Sequence, residues 1–167
     1  MWSKGDGGLI KLYPEHSYRD SSPNAAECLL LSCIVFLAGL PVAVFDLPLA
    51  LRIMRTALLM AIAVMLTNVG HDLYRHLVLH PERNAYMQTT VKGARWLCAM
   101  VEGSLIRVFS EWGRVVGLLE RGEHGLLMKR FDWFCGIWGD GPRNEEMENN
   151  RVRMALSMVI FGLLVQL

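Results

Sequence analysis

The sequence predicts an all-α protein, an N-terminal transmembrane helical hairpin followed by a small amphipathic-helix domain. Three observations predict it. Two long apolar blocks lie close together near the N-terminus, a turn signal separates them, and beyond them apolar residues recur at threes and fours. The 167 residues are 53% hydrophobic with a mean hydropathy of +0.29, above the roughly 45–50% apolar content usual for soluble domains. That excess is concentrated in the two blocks rather than spread along the chain.

Residues 1–27 read as a polar N-terminal tail, with Gly5, Gly7, Gly8, Pro14 and Pro23 and both signs of charge. A cleavable signal has a short basic start joined directly to its apolar core, so the later and longer apolar run reads as a retained signal-anchor. The hairpin is assigned to residues 28–70. Cys28 to Phe45 holds 18 residues without a charge, about 27 Å of helix against a hydrocarbon core of roughly 30 Å. Asp46-Leu47-Pro48 supplies the turn, with Pro48 placed for the first position of the next helix. The second block, from about Leu49 to Val69, contains TALLMAIAVML at 56–66, apolar on every face as a helix surrounded by lipid or protein must be. Its two arginines, Arg52 and Arg55, stand one turn apart near its start, where long side chains reach the headgroups. A buried hairpin in a soluble bundle is the alternative.

Residues 71–138 are assigned to a helical cytoplasmic domain. His71 to His80 predicts a short helix stopped by Pro81, and Asn84 to Leu119 a long one. In the long helix Met87, Val91, Ala94, Cys98, Val101, Leu105, Val108 and Trp112 mark an apolar face, with Lys92, Arg95, Glu102, Ser110 and Arg114 towards the other side. Arg107 and Glu111 are spaced to pair. Residues 126–138, with Phe131, Trp133, Phe134 and Trp138 beside Lys129 and Arg130, fit either a membrane surface or a small core. Residues 139–167 read as a polar loop and a C-terminal apolar helix. That helix, Met154 to Leu167, is about 21 Å long, short for a span, and is expected to pack on the hairpin or a partner.

The charges exclude some functions. There are 17 basic and 16 acidic residues, so the chain has no global field for nucleic acid and no basic stripe with interleaved aromatics. Cys28, Cys33, Cys98 and Cys135 form no C-x-x-C pair and read as small apolar fillers. Neither a phosphate-binding glycine motif nor a nucleophile elbow is present. One constellation has metal-ligand spacing: Asp72, His76 and His80, four apart on one helical face. A protease-type zinc motif needs a Glu beside the first His, where this chain has Leu77, and no further ligand is specified. Polar residues at a membrane edge explain the three as well, so no catalytic residue, metal or cofactor is assigned.

The sequence therefore leads to a non-enzymatic, membrane-anchored protein-interaction module, an accessory or regulatory component of a larger membrane machine. Its expected partners are the lipid bilayer and another membrane protein or further copies of itself. By analogy of architecture alone, secretion or conjugation machinery, or plasmid entry exclusion acting on it, has this layout. A membrane-perturbing protein of the holin or toxin kind is the first alternative, resting on the hairpin plus the amphipathic helix, and a metal-binding membrane protein using Asp72, His76 and His80 is the lesser one. Basic residues flanking the spans (Lys4, Lys11 and Arg19 before, Arg75, Arg83, Lys92 and Arg95 after) place both termini in the cytoplasm.

Overall fold

A computed structural model describes residues 3–84, 93–133 and 141–167. In chain order these form α1 (Ser3–Leu12), strand β1 (Ser17–Arg19), α2 (Ala25–Val42), α3 (Leu47–Tyr74), α4 (Ala94–Glu120), strand β2 (Lys129–Phe131) and α5 (Gly141–Gln166). The protein is all-α apart from its small antiparallel ribbon, in which Tyr18 faces Arg130.

The hairpin is α2 and α3. Asn24 caps α2: its side chain accepts the Glu27 N–H at 3.0 Å, while the Glu27 carboxylate accepts the Asn24 N–H at 3.1 Å, a reciprocal capping box. Asp46 caps α3 by accepting the Leu49 N–H at 3.0 Å, and Pro48 sits in the first turn, where no backbone donor is needed. The two helices approach closely at Gly39, where a Cβ would lie 2.8 Å from Met54 Cγ. Ala50 and Ala57 are buried on the facing helix. Both helices are long and apolar enough to cross a membrane, and only 28% and 22% of their most apolar stretches are buried in the protein. Leu31, Ile34, Leu37, Leu40, Leu58, Ile62 and Leu66 all point outward.

Tertiary contacts correct several sequence expectations. Within the segment expected as a tail, residues 3–27 are folded. Their first turns fold into α1, which packs on α4 with Ile10 buried, and Tyr18, Asp20, Ser22 and Asn24 are buried behind it. His71–His80 is no separate helix; α3 runs through Tyr74 into a π-helical turn at Arg75–Leu79, closed by the His80 N–H on the Arg75 carbonyl at 2.8 Å. Residues 129–131 pair with β1 as a strand, and three residues are too short for an alternation legible in the sequence. The polar run expected as a loop before Met154 is the first half of α5. Its charges are compatible with helix, and once it is helical the apolar segment behind it extends the same rod.

A further correction concerns α4. Among the described residues it begins at Ala94, with Gly93 before it at φ +61°, a left-handed conformation that favours glycine. Its buried face matches the expected apolar stripe only in part. Trp96, Ser104, Val108, Arg114, Val115 and Leu118 turn inward, whereas Ala94, Cys98 and Phe109 are exposed and Val101, Leu105 and Trp112 are half-buried. Arg114, expected at the surface, lies in the interior. The expected helix start at Asn84, and Met87, Val91, Lys92, Phe134, Cys135 and Trp138, fall on or next to residues outside the described set. Cys28, Cys33 and Cys98 carry no disulfide.

α5 lies along α3. Met154, Met158 and Phe161 face Met60 and Val64 across an apolar groove that Cys28 and Leu31 of α2 complete. The apolar end of α5 therefore packs on the hairpin as expected, and Met158, Val159, Leu163 and Val165 remain exposed on its other side.

Candidate functional site

Where α2 begins, α3 ends, α4 passes and α5 changes from polar to apolar, the interior is ionic rather than hydrophobic. Two carboxylates organise it. Glu27 receives Arg114 at 3.0 Å and Arg130 in two-pronged fashion at 2.9 and 2.8 Å, together with the Met128 N–H at 2.8 Å. Asp72 receives Arg107 at 2.7 Å, Arg153 at 2.6 Å and the Ser104 hydroxyl. All these side chains except Arg107 are buried.

The two centres are joined. Arg130 stands 3.8 Å from Asp20, which accepts the Asn150 side-chain amide at 2.8 Å; Asn150 in turn accepts Arg153 at 3.4 Å. Beyond Asp72, Arg107 donates to Asn68 at 3.1 Å, and Asn68 donates to the Val64 carbonyl at 2.8 Å. The layer thus runs from Glu27 to Asn68 through α2, α3, α4, α5, strand β2 and Asp20 just after β1. A guanidinium moved from water into a low-dielectric interior costs several kcal/mol, so each buried arginine here requires its carboxylate. The multidentate geometry supplies the directed hydrogen bonds that make such burial tolerable.

Two polar cavities of about 390 and 440 Å³ open beside this layer. Both are bordered by Arg107, Glu111 and Glu146; the first also meets Arg130 and Trp133, the second Arg75 and Arg153. Burial pushes the Glu111 carboxyl above its ordinary range, against the downward pull of Arg107 and Arg130. At the rim the Tyr18 hydroxyl donates to Glu146 at 2.9 Å, and burial together with that carboxylate holds the phenol neutral far above its usual titration. Arg143 stacks over the Tyr18 ring at 5.0 Å.

The candidate metal residues are not brought together as a metal site. Asp72 has both oxygens occupied by arginines, His76 lies in the π-helical turn, and His80 bonds Glu82 through Nδ1 at 3.0 Å. Among the described residues no three His, Cys, Asp or Glu side chains are grouped to hold a metal ion. Arg107 and Glu111 do approach, at 3.5 Å.

Sequence reasoning missed Asp20, Glu27, Asn150 and Arg153 as partners and placed Arg114 on the wrong face. Two signals for them exist. Asn24-x-x-Glu27 before an apolar run is a capping-box signature. Ser104, Arg107, Glu111 and Arg114, at threes and fours, form a polar stripe as regular as the apolar one beside it.

Comparison with protein-family models, with curated proteins and with solved structures finds no match to this chain. Its class is set by the fold: a helical protein with two helices long and apolar enough to cross a membrane, their base joined to a small domain by buried ion pairs.

Proposed function

We propose that the chain is an integral membrane module whose hairpin crosses the bilayer and whose N-terminal and α4 elements form a cytoplasmic platform for another membrane protein. The observation that carries this is the distribution of side chains: large apolar residues cover the outside of α2, α3 and the end of α5, while arginines and carboxylates are buried at the base of the hairpin. A soluble hairpin core would be mostly buried, and this one is not. Along α3 the twenty residues from Arg52 to Asp72 span about 30 Å, the thickness of a hydrocarbon core. Arg52 and Arg55, both exposed, then meet the far headgroups, and the tip residues Val44 and Phe45 lie beyond them. The apolar half of α5 enters beside the hairpin from the cytoplasmic side, about 21 Å deep from Arg153.

On this reading the work of the protein is contact: an accessory or regulatory subunit of a larger membrane assembly. Glu27 and Asp72 are each committed to two internal arginines, which suits a scaffold better than a reaction centre. Two measurements test the reading. The chain is expected to resist carbonate extraction, and in intact cells a membrane-impermeant maleimide is expected to label Phe45→Cys but not Leu12→Cys in a cysteine-free background. The reverse labelling pattern inverts the orientation, and extraction into the soluble fraction sinks the membrane reading. Purification in mild detergent is expected to yield a complex with a second membrane protein or further copies; a lone monomer counts against the subunit role.

A further inference from the structure

We infer that α4 is a membrane element too, lying along the cytoplasmic surface of the bilayer with its outward apolar stripe among the lipid chains. The inference rests on the membrane reading of the hairpin and extends it to the helix assigned to the domain behind it.

The argument begins with which way α4 faces. On a helix that packs on a soluble core, the apolar stripe turns inward and the polar one meets water. In α4 both kinds of residue turn inward: Trp96, Val108, Val115 and Leu118 are buried beside the polar groups, and part of the apolar stripe is left facing out. Ser104, Arg107, Glu111 and Arg114 turn towards Asp72 and Glu27. Leu97 is 45% exposed and Phe109 70% exposed, with Cys98 exposed and Val101, Leu105 and Trp112 half-buried between them. These outward residues occupy about a third of the helix circumference at 3.6 residues per turn. Such a stripe from Leu97 to Trp112 is costly in water, because each large apolar side chain left exposed forgoes the free energy of burial.

The occupant follows from continuity. Phe109, Trp112 and Val108 share one apolar groove with Leu29 and Cys33 of α2 and Met65 of α3. The α4 stripe is therefore an extension of the hairpin's outer surface, and the medium that covers one reaches the other. Arg95, Glu102 and Ser110 are exposed along one edge of the stripe, where a helix sunk about 5–10 Å into the headgroup boundary meets polar surroundings. The arrangement also accounts for the ionic layer. With α4 drawn against lipid on one side, its arginines are shielded from water and take their charge partners from Glu27 and Asp72 on the other.

The test is a nitroxide label on single-cysteine variants of the full chain, in a background free of native cysteines, reconstituted in phosphatidylethanolamine–phosphatidylglycerol vesicles. Collision rates with oxygen, which concentrates in lipid, are compared with those of a water-soluble nickel chelate. Labels at Leu97→Cys and Phe109→Cys are expected to match the hairpin label at Leu58→Cys, each favouring oxygen several-fold, while Glu102→Cys favours nickel. If Leu58→Cys favours oxygen but Leu97→Cys and Phe109→Cys favour nickel, α4 lies in water and the inference fails while the hairpin reading stands. If Leu58→Cys also favours nickel, the hairpin reading fails with it. Shielding of Leu97→Cys and Phe109→Cys from both reagents means that protein, not lipid, covers the stripe, and it overturns the inference as well.

Discussion

Replacing Glu27 with glutamine is expected to destabilise the fold by about 3–5 kcal/mol, the cost of stranding a buried charge whose partner has been removed. The substitution keeps the side-chain shape but takes from Arg114, in the interior, its hydrogen-bonded carboxylate and leaves Arg130 with Asp20 at 3.8 Å. It also weakens the α2 cap, because the Asn24 N–H and the Met128 N–H both donate to this carboxylate. Three separate stretches of chain are tied at one group, so the loss should appear as cooperative unfolding rather than local fraying. Denaturant titration in mild detergent, followed by tryptophan fluorescence, measures it; a change within about 0.5 kcal/mol, the range of an ordinary surface substitution, would show that the ion pairs do not bear on the fold. A second variant separates charge from shape. Glu27→Leu combined with Arg114→Leu and Arg130→Met removes the whole set, and its loss should fall well below the sum of the three single losses, since apolar replacement of a buried ion pair is often neutral.

Replacing Asp72 with asparagine is expected to cost somewhat less, near the lower end of about 3–5 kcal/mol, because one of its two arginines has other partners. Arg107 still reaches Asn68 at 3.1 Å and Glu111 at 3.5 Å. Among the described residues Arg153 retains only a long bond to Asn150 at 3.4 Å, so the consequence should concentrate on α5. Hydrogen exchange is expected to rise in the first half of α5 and around Ser104 while the hairpin tip near Asp46, far along α3, keeps its protection. Uniform loss of protection across the hairpin would instead mean that Asp72 holds the two spans together and that α5 merely follows them.

Much of the architecture is legible from local pattern. The hairpin, its Asp46-Leu47-Pro48 turn, the long amphipathic helix and the apolar C-terminal helix all rest on residues a few positions apart, whose spacing sets helix faces and ends without reference to the rest of the chain. The ionic layer has no such local basis. Glu27 meets Arg114 from 87 residues away and Arg130 from 103, and Arg153 meets Asp72 from 81. Composition and periodicity carry no information about such pairings.

The sequence by itself determined that α4 has an apolar stripe and a polar one; only the tertiary structure decided which of them faces the protein. The physical reason is that periodicity records a contrast between two faces and not the medium on either side. In α4 the apolar residues divide, with Trp96, Val108, Val115 and Leu118 buried and Leu97 and Phe109 outside, and Arg114 becomes an interior group because Glu27 is there to receive it. The N-terminal segment became part of the interior in the same way. Nothing in Asp20 or Ser22 announces burial, and it is the packing of α1 on α4 and the pairing of β1 with β2 that close them off from water.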